Sequence, residues 1–594
     1  MTALMAKKMN PLRNKRRKAS PERSPFLPSS RQEMLDRGWH EVDIVLVTGD
    51  AYVDHPSFGV AVMGRWLEAH GFRTAILSQP RYDSPHAFGE FGRPRLFFGV
   101  TAGNLDSIVA NYTGNGKVRD EDDYSPQGNP YFGSERSRRN RRRPDRASIL
   151  YTSLCKGAFQ GVPVVLGGLE GSLRRFVHYD YQQNKLRGSI LTDSKADLLV
   201  YGMGERAILE IAQRLSQGRS LQSIEGTCER LTEGELRARD LPPDAVQLPS
   251  WDDINHERKK FLHGERTVDR HARGLFATPL LQKQQSMWVL QNPSPPPLTP
   301  AELDAVHALP FQKAPHPSMG DVPAWRMIQN SVTTVRGCVG NCSFCSIARH
   351  QGPVIVSRTP DSILKELKEL SEKKDFRGTV SDLGGPTANL FGVSCSRNAP
   401  CKRRDCLYPR ICRHLRIDEE AMLKLLEDAA ALKGVKHVFV SSGLRMELLL
   451  RTPRLLARLL ERHTPGAMKI APEHTEPHVL RLMHKCGPSV LEEFLKLARR
   501  IAREKNIRAQ FTPYVIASHP GCRSEDMKRL AEKFEKLRLP LRQFQDFTPT
   551  PGTLSTAMYV AGLDRDSRQP IHIPRGDSER RAQRKTLQER MTLT

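Results

Sequence analysis

Short apolar runs alternate with amphipathic stretches along the first half of the chain. The apolar runs are bounded by glycine, proline or polar residues, which predicts buried strands. They lie at residues 43–48, 74–78, 96–100, 162–166 and 197–201. Helical periodicity follows at residues 59–70 and 205–215, and Gly71 is a candidate helix C-cap. Strands that alternate with helices predict a doubly wound parallel sheet, whose ligands bind at the carboxyl ends of the strands.

The second half shows the same alternation with more repeats. Predicted strands lie at residues 331–335, 378–383, 437–441, 468–471, 509–516 and 541–547. Predicted helices lie between them at residues 362–374, 419–432, 447–462, 488–505 and 523–537. Six strand–helix alternations suit a partial (β/α)6 barrel, in which the chemistry is expected at the carboxyl ends of the strands.

Composition shifts divide the chain into five predicted segments. They are a disordered basic arm at 1–34, an α/β domain of the flavodoxin- or cobalamin-binding-like type at 35–290, a proline-rich linker at 291–325, a second α/β domain at 326–563 and a charged tail at 564–594. A polar, basic stretch near residues 112–146 is predicted to be an insertion in the first domain, with a functional or disordered character.

Charge and hydropathy narrow the class of protein. The 594 residues carry a formal net charge of +26, much of it in irregular segments, so a nucleic-acid partner is an alternative that the sequence does not favour. No apolar stretch approaches the roughly 20 residues that cross a bilayer, and the N-terminus lacks the apolar core of a signal peptide. We therefore expect a cytoplasmic protein without a membrane partner.

Three cysteines carry the clearest chemical signal. Cys338, Cys342 and Cys345 have C-x3-C-x2-C spacing and follow the β-branched run at 331–335. A 4Fe–4S cluster has four irons that thiolates usually bind, so three cysteines leave one iron open to a small molecule. A helix that aligned three buried thiols on one face is a weaker alternative, because Gly337, Gly340 and Asn341 disfavour a helix here.

Zinc binding and disulfide bonding are also weaker alternatives for these cysteines. A zinc site normally needs a fourth ligand, for which His350 is a nominal candidate. A disulfide framework is disfavoured because the chain is long, has 11 cysteines and lacks a secretory segment.

Further motifs give the chain a family resemblance. They are Gly99-Val-Thr-Ala-Gly103, Gly202-Met-Gly-Glu205, the triple-cysteine loop, Gly384-Gly-Pro-Thr-Ala-Asn389, Ala471-Pro-Glu-His474 and Asp546-Phe-Thr-Pro-Thr-Pro551. With these motifs the second domain resembles the core of radical S-adenosylmethionine (SAM) enzymes. The chain from about residue 43 to 559 resembles the YgiQ-like family of uncharacterised radical SAM proteins. Many relatives have a longer C-terminal extension than this chain.

The resemblance implies a cofactor site. Cys338, Cys342 and Cys345 would hold a 4Fe–4S cluster, and exchangeable SAM would bind the open iron. Gly384 and Gly385 would meet the SAM amino group, although Pro386 stands where the superfamily usually has Glu. Phe344 matches an aromatic residue near the SAM adenine.

Other residues at the predicted strand ends have weaker assignments. Ser441, Ser442 and Arg445 are expected at the third strand end, and Glu473 and His474 at the fourth. We name no catalytic residue.

The implied function is an enzyme that cleaves SAM to a 5′-deoxyadenosyl radical, which acts on an unknown substrate. Its electron donor would be a low-potential protein such as a flavodoxin or ferredoxin. One alternative is a cobalamin-dependent radical SAM methyltransferase, although Asp54-His-Pro-Ser-Phe-Gly59 lacks the D-x-H-x-x-G signature. Another is an RNA-binding or tRNA-modifying protein.

A second cysteine group lies between the second and third predicted strands. It consists of Cys395, Cys401, Cys406 and Cys412 in a basic loop. We favour a metal at this group and leave zinc and iron–sulfur open, because the spacings are not those of paired C-x2-C motifs.

Overall fold

The computed structural model describes residues 25–272, 278–397, 401 and 405–591. The strands of the first half are Ile44–Thr48, Val53–Asp54, Thr74–Ser78, Phe97–Thr101, Val164–Leu166, His178–Asp180, Lys185–Arg187, Leu198–Val200, Thr227–Leu231, Val246–Gln247, Leu280–Gln284, Met287–Gln291 and Ala314–Pro315. Its helices are Arg31–Asp36, Gly59–Ala69, Ser107–Asn111, Ala147–Ala158, Gly168–Leu173, Ile190–Ser194, Glu205–Ser216, Glu233–Arg237, Trp251–His256, Lys259–His271, Pro300–His307 and Pro323–Ile328.

A nine-stranded mixed sheet organises this half. Its parallel part has the spatial order Thr74–Ser78, Ile44–Thr48, Phe97–Thr101, Val164–Leu166 and Leu198–Val200. This is the 2-1-3-4-5 order of doubly wound sheets of the flavodoxin type. The sheet continues through Thr227–Leu231 and Met287–Gln291, which are antiparallel to their neighbours. The strand predictions at the parallel positions agree with the structure to within two residues.

The first strand shows why both faces of the sheet are covered. Val45 and Val47 point into one buried hydrophobic cluster, whereas Ile44 and Leu46 point into another. Successive strand residues face opposite sides, so a strand that is apolar throughout needs a layer on each side. Helix Ala147–Ala158 contributes to the first cluster, and helices Gly59–Ala69 and Glu205–Ser216 contribute to the second.

The second half has shorter strands. They are Ser331–Thr333, Val335–Arg336, Val356–Ser357, Thr379–Val380, Asp382–Gly384, Val393–Cys395, Leu415–Ile417, His437–Val438, Met468–Glu473, Phe511–Ala517 and Gln543–Asp546. Its helices are Ile347–His350, Pro360–Ser371, Glu419–Ala430, Met446–Leu449, Pro453–Arg458, Pro477–Met483, Ser489–Glu504, Ser524–Lys536, Leu554–Ala561 and Asp577–Met591.

Parallel pairing follows the order of the chain in this half. Ser331–Thr333 pairs with Asp382–Gly384, and Thr379–Val380 pairs with His437–Val438. A parallel bridge joins Leu444 to Ile470, after which Met468–Glu473, Phe511–Ala517 and Gln543–Asp546 form one sheet. Strand ends that succeed one another therefore lie side by side, which brings their loops to a common edge.

In three segments predicted to be irregular or charged, the structure describes residues that are buried or helical. Residues 1–24 of the predicted disordered arm lie outside the described residues, but Phe26 and Leu27 are buried and Arg31–Asp36 is a helix. In the insertion near 112–146, Arg143 is buried between Asp50 and Asp122. The predicted tail contributes helix Asp577–Met591, whose Leu587 is fully buried.

The two halves share a hydrophobic cluster. Val177, Tyr179 and Phe261 from the first half pack with Leu482 and Met558 from the second. None of the helices among the described residues combines the length and apolar character needed to span a bilayer.

Candidate metal and SAM site

The three cysteines lie on an irregular loop between strand Val335–Arg336 and helix Ile347–His350. Two glycines give the loop its path. Gly337 has φ +87°, and a Cβ there would strike the Val354 carbonyl. A Cβ at Gly340 would strike the Arg445 guanidinium. The prediction that these residues are not helical is confirmed.

The Arg445 guanidinium lies close to two of the three cysteine sulfurs. Its Nη2 lies 3.4 Å from Cys342 Sγ and 3.7 Å from Cys338 Sγ, and its Nη1 lies 3.0 Å from Glu447 Oε1. Burial opposes the charge on Arg445, but the two sulfurs and Glu447 raise its pKa well above the usual value. The positive charge offsets the negative charge that ligating thiolates would carry.

A second buried cation, Lys485, lies near the cysteine loop. Burial also opposes the charge on Lys485, yet Cys342, Glu447 and Glu473 raise its pKa. Burial raises the pKa of the Cys345 thiol to about 12, and the neighbouring sulfurs add to this effect. The thiol donors and the nearby cations fit a centre that carries several thiolates.

The spacing of the thiols disfavours a mononuclear site. Tetrahedral zinc with Zn–S bonds near 2.3 Å would place its sulfurs about 3.8 Å apart. Among the described residues, the one set of three metal-donor atoms within 4.8 Å of one another is Glu476, His478 and Asp526. The cysteine loop is thus spread more widely than a zinc site.

The second cysteine group does not form a compact set either. Cys395 is exposed on the short strand Val393–Cys395, and Cys412 is buried. Within the parts of the chain that the structure describes, these thiols do not converge to zinc-binding distances. Residues 398–400 and 402–404 of the loop lie outside the described residues. Metal binding by this group stays a prediction.

Gly384 and Gly385 lie at the carboxyl end of strand Asp382–Gly384, beside the cysteine loop. A Cβ on Gly385 would lie 2.6 Å from Val335 Cγ1 and 2.9 Å from the Val335 carbonyl oxygen. The Gly384 carbonyl accepts a hydrogen bond from Thr334 N at 2.7 Å. The double glycine therefore lets two backbone segments approach closely at a strand end, where the loop of the first strand also begins.

A cavity of about 680 Å³ opens between the halves of the chain. Strand ends and loops of the sheet line one side, including Thr101, Gly167, Gly168 and Gly204. The other side is lined by Arg336, Ser346, Ile347, Gly384, Gly385 and Ser442. Pockets of roughly 300 to 1,000 Å³ suit small-molecule ligands. The carboxyl ends of both sets of strands thus face one cavity.

Polar contacts cross this space. Arg336 Nη1 bonds Glu205 Oε1 at 2.5 Å, and His350 Nδ1 lies 3.1 Å from Ser172 Oγ. No sequence pattern assigned a role to Arg336, and His350 was a candidate only as a zinc ligand. His350 lies next to Ser172 rather than being held by the thiols. The Gly202-Met-Gly-Glu205 motif was the one available signal for the partner of Arg336.

The other residues that were predicted at the strand ends make different contacts. Ser441 N donates to Asp382 Oδ1 at 2.8 Å, and Ser442 N donates to the same oxygen at 3.2 Å. His474 Nδ1 accepts from Glu476 N at 3.0 Å, and its Nε2 lies 3.5 Å from Cys522 Sγ. Both ring nitrogens of His474 thus have partners within the second half of the chain. Burial raises the pKa of Glu473, and the nearby positive charges of Lys485 and Arg445 oppose this rise.

The aromatic residue of the loop packs against a histidine. The Phe344 ring meets the His519 ring edge-on at 6.4 Å between centroids. Its predicted place beside the SAM adenine is not tested by this contact.

Known proteins match the chain over nearly its whole length. Residues 26–331 match the radical SAM N-terminal family and residues 332–534 match the radical SAM superfamily. A UPF0313 protein of Geobacter sulfurreducens is 47% identical over 569 residues, covering 95% of this chain and 92% of the relative. A UPF0313 protein of Thermotoga maritima is 45% identical over 559 residues, covering 93% of this chain and 96% of the relative.

A solved structure supports the fold. The radical SAM methyltransferase TsrM of Kitasatospora setae, determined with cobalamin and a [4Fe-4S] cluster bound, aligns with a TM-score of 0.50 and 15% identity. The alignment covers 86% of this chain and 76% of TsrM. Family membership confirms the expected cofactors, a 4Fe–4S cluster and SAM. The chain belongs to the radical SAM superfamily and, within it, to the UPF0313 proteins, which confirms the expected YgiQ-like relationship.

Proposed function

We propose that this protein is a radical SAM enzyme whose 4Fe–4S cluster is held by Cys338, Cys342 and Cys345. The observation that carries the proposal is the approach of the Cys338 and Cys342 sulfurs to Arg445, on a loop that also carries Cys345 and follows the first strand of the barrel-like half. When bound, the cluster and SAM supply a 5′-deoxyadenosyl radical that removes hydrogen from a substrate.

Several side chains would support this site through charge and shape. Arg445 and Lys485 neutralise thiolates in a buried setting. Gly385 keeps the strand end close to Val335, so its backbone is available to the SAM amino group. Both halves line the cavity, which would limit the contact of a reactive species with bulk water. The electron would come from a separate low-potential protein such as a flavodoxin or ferredoxin.

We also propose an architecture for the two halves. We assign residues 26–331 to a doubly wound domain that forms one wall of the cavity, and the following residues to a partial (β/α)6 barrel. The parallel order 2-1-3-4-5 and the chain-order pairing of the barrel strands support this assignment. The proposed boundary lies near residue 331, after the proline-rich linker.

Anaerobic reconstitution tests the cluster ligands. Replacing Cys338, Cys342 and Cys345 together with Ala should abolish both cluster assembly and 5′-deoxyadenosine formation. Cys395→Ala is the matched control, because this exposed thiol lies in the second group and should leave residual SAM cleavage. Iron and sulfide counts, electron paramagnetic resonance and chromatography of 5′-deoxyadenosine provide the measurements. Full SAM cleavage by the triple variant would contradict the ligand assignment.

A second candidate function is cobalamin-dependent methyl transfer. The cavity at the carboxyl ends of the sheet strands favours it, because doubly wound sheets bind ligands there. The residues fit only in part. His55 is buried, its Nδ1 accepts from Ser57 N at 3.1 Å, and it is not among the residues that line the cavity. The histidine of the loop after the first strand would therefore not hold a cobalamin bound in this cavity.

Cobalamin binding separates the two candidates. We expect protein purified with added cobalamin to show no cobalt beyond that of the buffer. Stoichiometric cobalt with a corrin absorbance spectrum would instead favour the methyltransferase function.

A further inference from the structure

Two cavities meet beside His350. The larger, of about 680 Å³, lies between the two halves, and a second, of about 360 Å³, adjoins it. Gly202, Met203, Glu205, Arg336, His350 and Gln351 line both. His350 ends the short helix Ile347–His350 that follows the cysteine loop. Its imidazole therefore lies between the two cavities, away from the end of the larger one that Gly384 and Gly385 line.

The contacts of Ser172 determine which ring nitrogen of His350 carries the proton. Ser172 Oγ donates its single hydrogen to the Gly168 carbonyl at 2.8 Å and accepts from Gly202 N at 3.0 Å. His350 Nδ1 lies 3.1 Å from the same oxygen. Because the serine hydrogen is already used, the bond between the two side chains requires a proton on Nδ1. The ring nitrogen with the lone pair is then Nε2.

Nε2 faces the open space. No hydrogen bond to this atom is present among the described residues, yet it is not one of the buried polar atoms sealed from water. The ring lines both cavities. A lone pair that is free of protein donors and accessible from a cavity is available to a ligand.

The surroundings keep the ring neutral. Burial lowers the pKa of His350 to about 4. Glu205 opposes this shift, whereas Arg175 and Arg336 add to it. Arg349, on the same helix, pairs with Glu265. At neutral pH the imidazole is therefore an unprotonated acceptor beside the charged guanidinium of Arg336.

We propose that His350 accepts a hydrogen bond through Nε2 from a substrate that carries a hydroxyl or N–H group and binds at the sheet end of the larger cavity. The inference rests on the proposed function, in which SAM occupies the end near Gly384 and Gly385.

Acylation by diethyl pyrocarbonate tests the state of Nε2, because only an unprotonated imidazole reacts. The reconstituted holoenzyme would be treated anaerobically at pH 7.5 and 5.5, with N-acetylhistidine added as an internal reference. Peptide mass spectrometry would quantify modification at residue 350. The reference should react about tenfold more slowly at pH 5.5, as expected for a pKa near 6.5. His350 should change less than twofold.

The result separates this inference from the function on which it rests. A tenfold loss of His350 reactivity at pH 5.5 would overturn the inference, because Nε2 would then be protonated like that of an exposed histidine. An absence of modification at both pH values would also overturn it, since Nε2 would not be accessible. The same preparation is assayed for 5′-deoxyadenosine with SAM and reductant. A missing SAM-cleavage signal beside the expected reactivity would instead count against the proposed function alone.

Discussion

Single residues fix the backbone path at the site. Gly385 is the clearest case, because its α-carbon faces Val335 at a distance that leaves no room for a methyl group. The constraint is steric, so it acts whether or not a ligand is bound. Spacing and motif alone placed this glycine at a strand end, and the structure adds the contact that makes glycine necessary.

Gly385→Ala tests this constraint. The added Cβ would overlap Val335, so the free energy of unfolding should fall by about 1 to 3 kcal/mol. SAM binding should weaken as the strand end moves. Gly487→Ala is the control, because nothing lies within 4 Å of its Cβ position. Urea unfolding and isothermal titration with SAM give the two values. Equal stability of the two variants would show that the backbone adjusts at Gly385 without cost.

At the scale of elements, helix Lys259–His271 holds the cysteine loop from the opposite half of the chain. Glu265 pairs with Arg349, and Asp269 Oδ2 accepts from Asn341 Nδ2 at 3.1 Å. Asn341 lies between two cysteines, and Arg349 follows the third. One helix of the first half thus contacts the loop on both sides of its last two thiols.

Glu265→Ala tests the role of this helix. Arg349 would be left as a buried cation without its carboxylate, since the two side chains are only 6% and 7% exposed. Removing one partner of a buried ion pair costs about 3 to 5 kcal/mol. We expect a matching loss in urea unfolding and faster loss of iron to a chelator. Lys260→Ala removes an exposed charge from the same helix and should leave both measurements unchanged. Unaltered iron retention in Glu265→Ala would contradict the role.

Local pattern predicted elements better than it predicted contacts between them. Apolar runs identified the five parallel strands of the sheet, because a strand buried on both faces is apolar throughout. Thr227–Leu231 was missed, since it mixes polar and apolar residues. Met287–Gln291 was also missed, although only its last residue is polar. Glu205 and Arg336 are 131 positions apart, and Ser172 and His350 are 178 apart. No periodicity links such pairs, and only folding brings them to one cavity.

At the scale of the whole molecule, the two halves of the chain share a buried hydrophobic cluster. Phe261 and Tyr179 from the first half share a buried cluster with Leu482 and Met558 from the second. The cavity has walls from both halves. Helix Asp577–Met591 also reaches across, as Arg580 Nη2 donates to the Gly114 carbonyl at 3.0 Å.

Separate expression of residues 332–594 tests this dependence. The fragment would expose the apolar side chains that now pack against Phe261, so we expect aggregation and binding of a hydrophobic dye. Co-expression with residues 1–331 should recover soluble protein that assembles the cluster. Size-exclusion chromatography and iron content provide the measurements. A soluble, monomeric fragment that assembles its cluster without the first half would refute the dependence.

The shared cavity has a consequence for how such proteins diversify. One wall, from the second half of the chain, carries the glycines and the cysteine loop, while the other wall is built from loops at the ends of the sheet strands. Mutations in those sheet loops can reshape the chamber and admit a different molecule without disturbing the thiols. New specificities can therefore arise in a lineage by remodelling the first half, while the half that carries the cysteine loop is inherited unchanged.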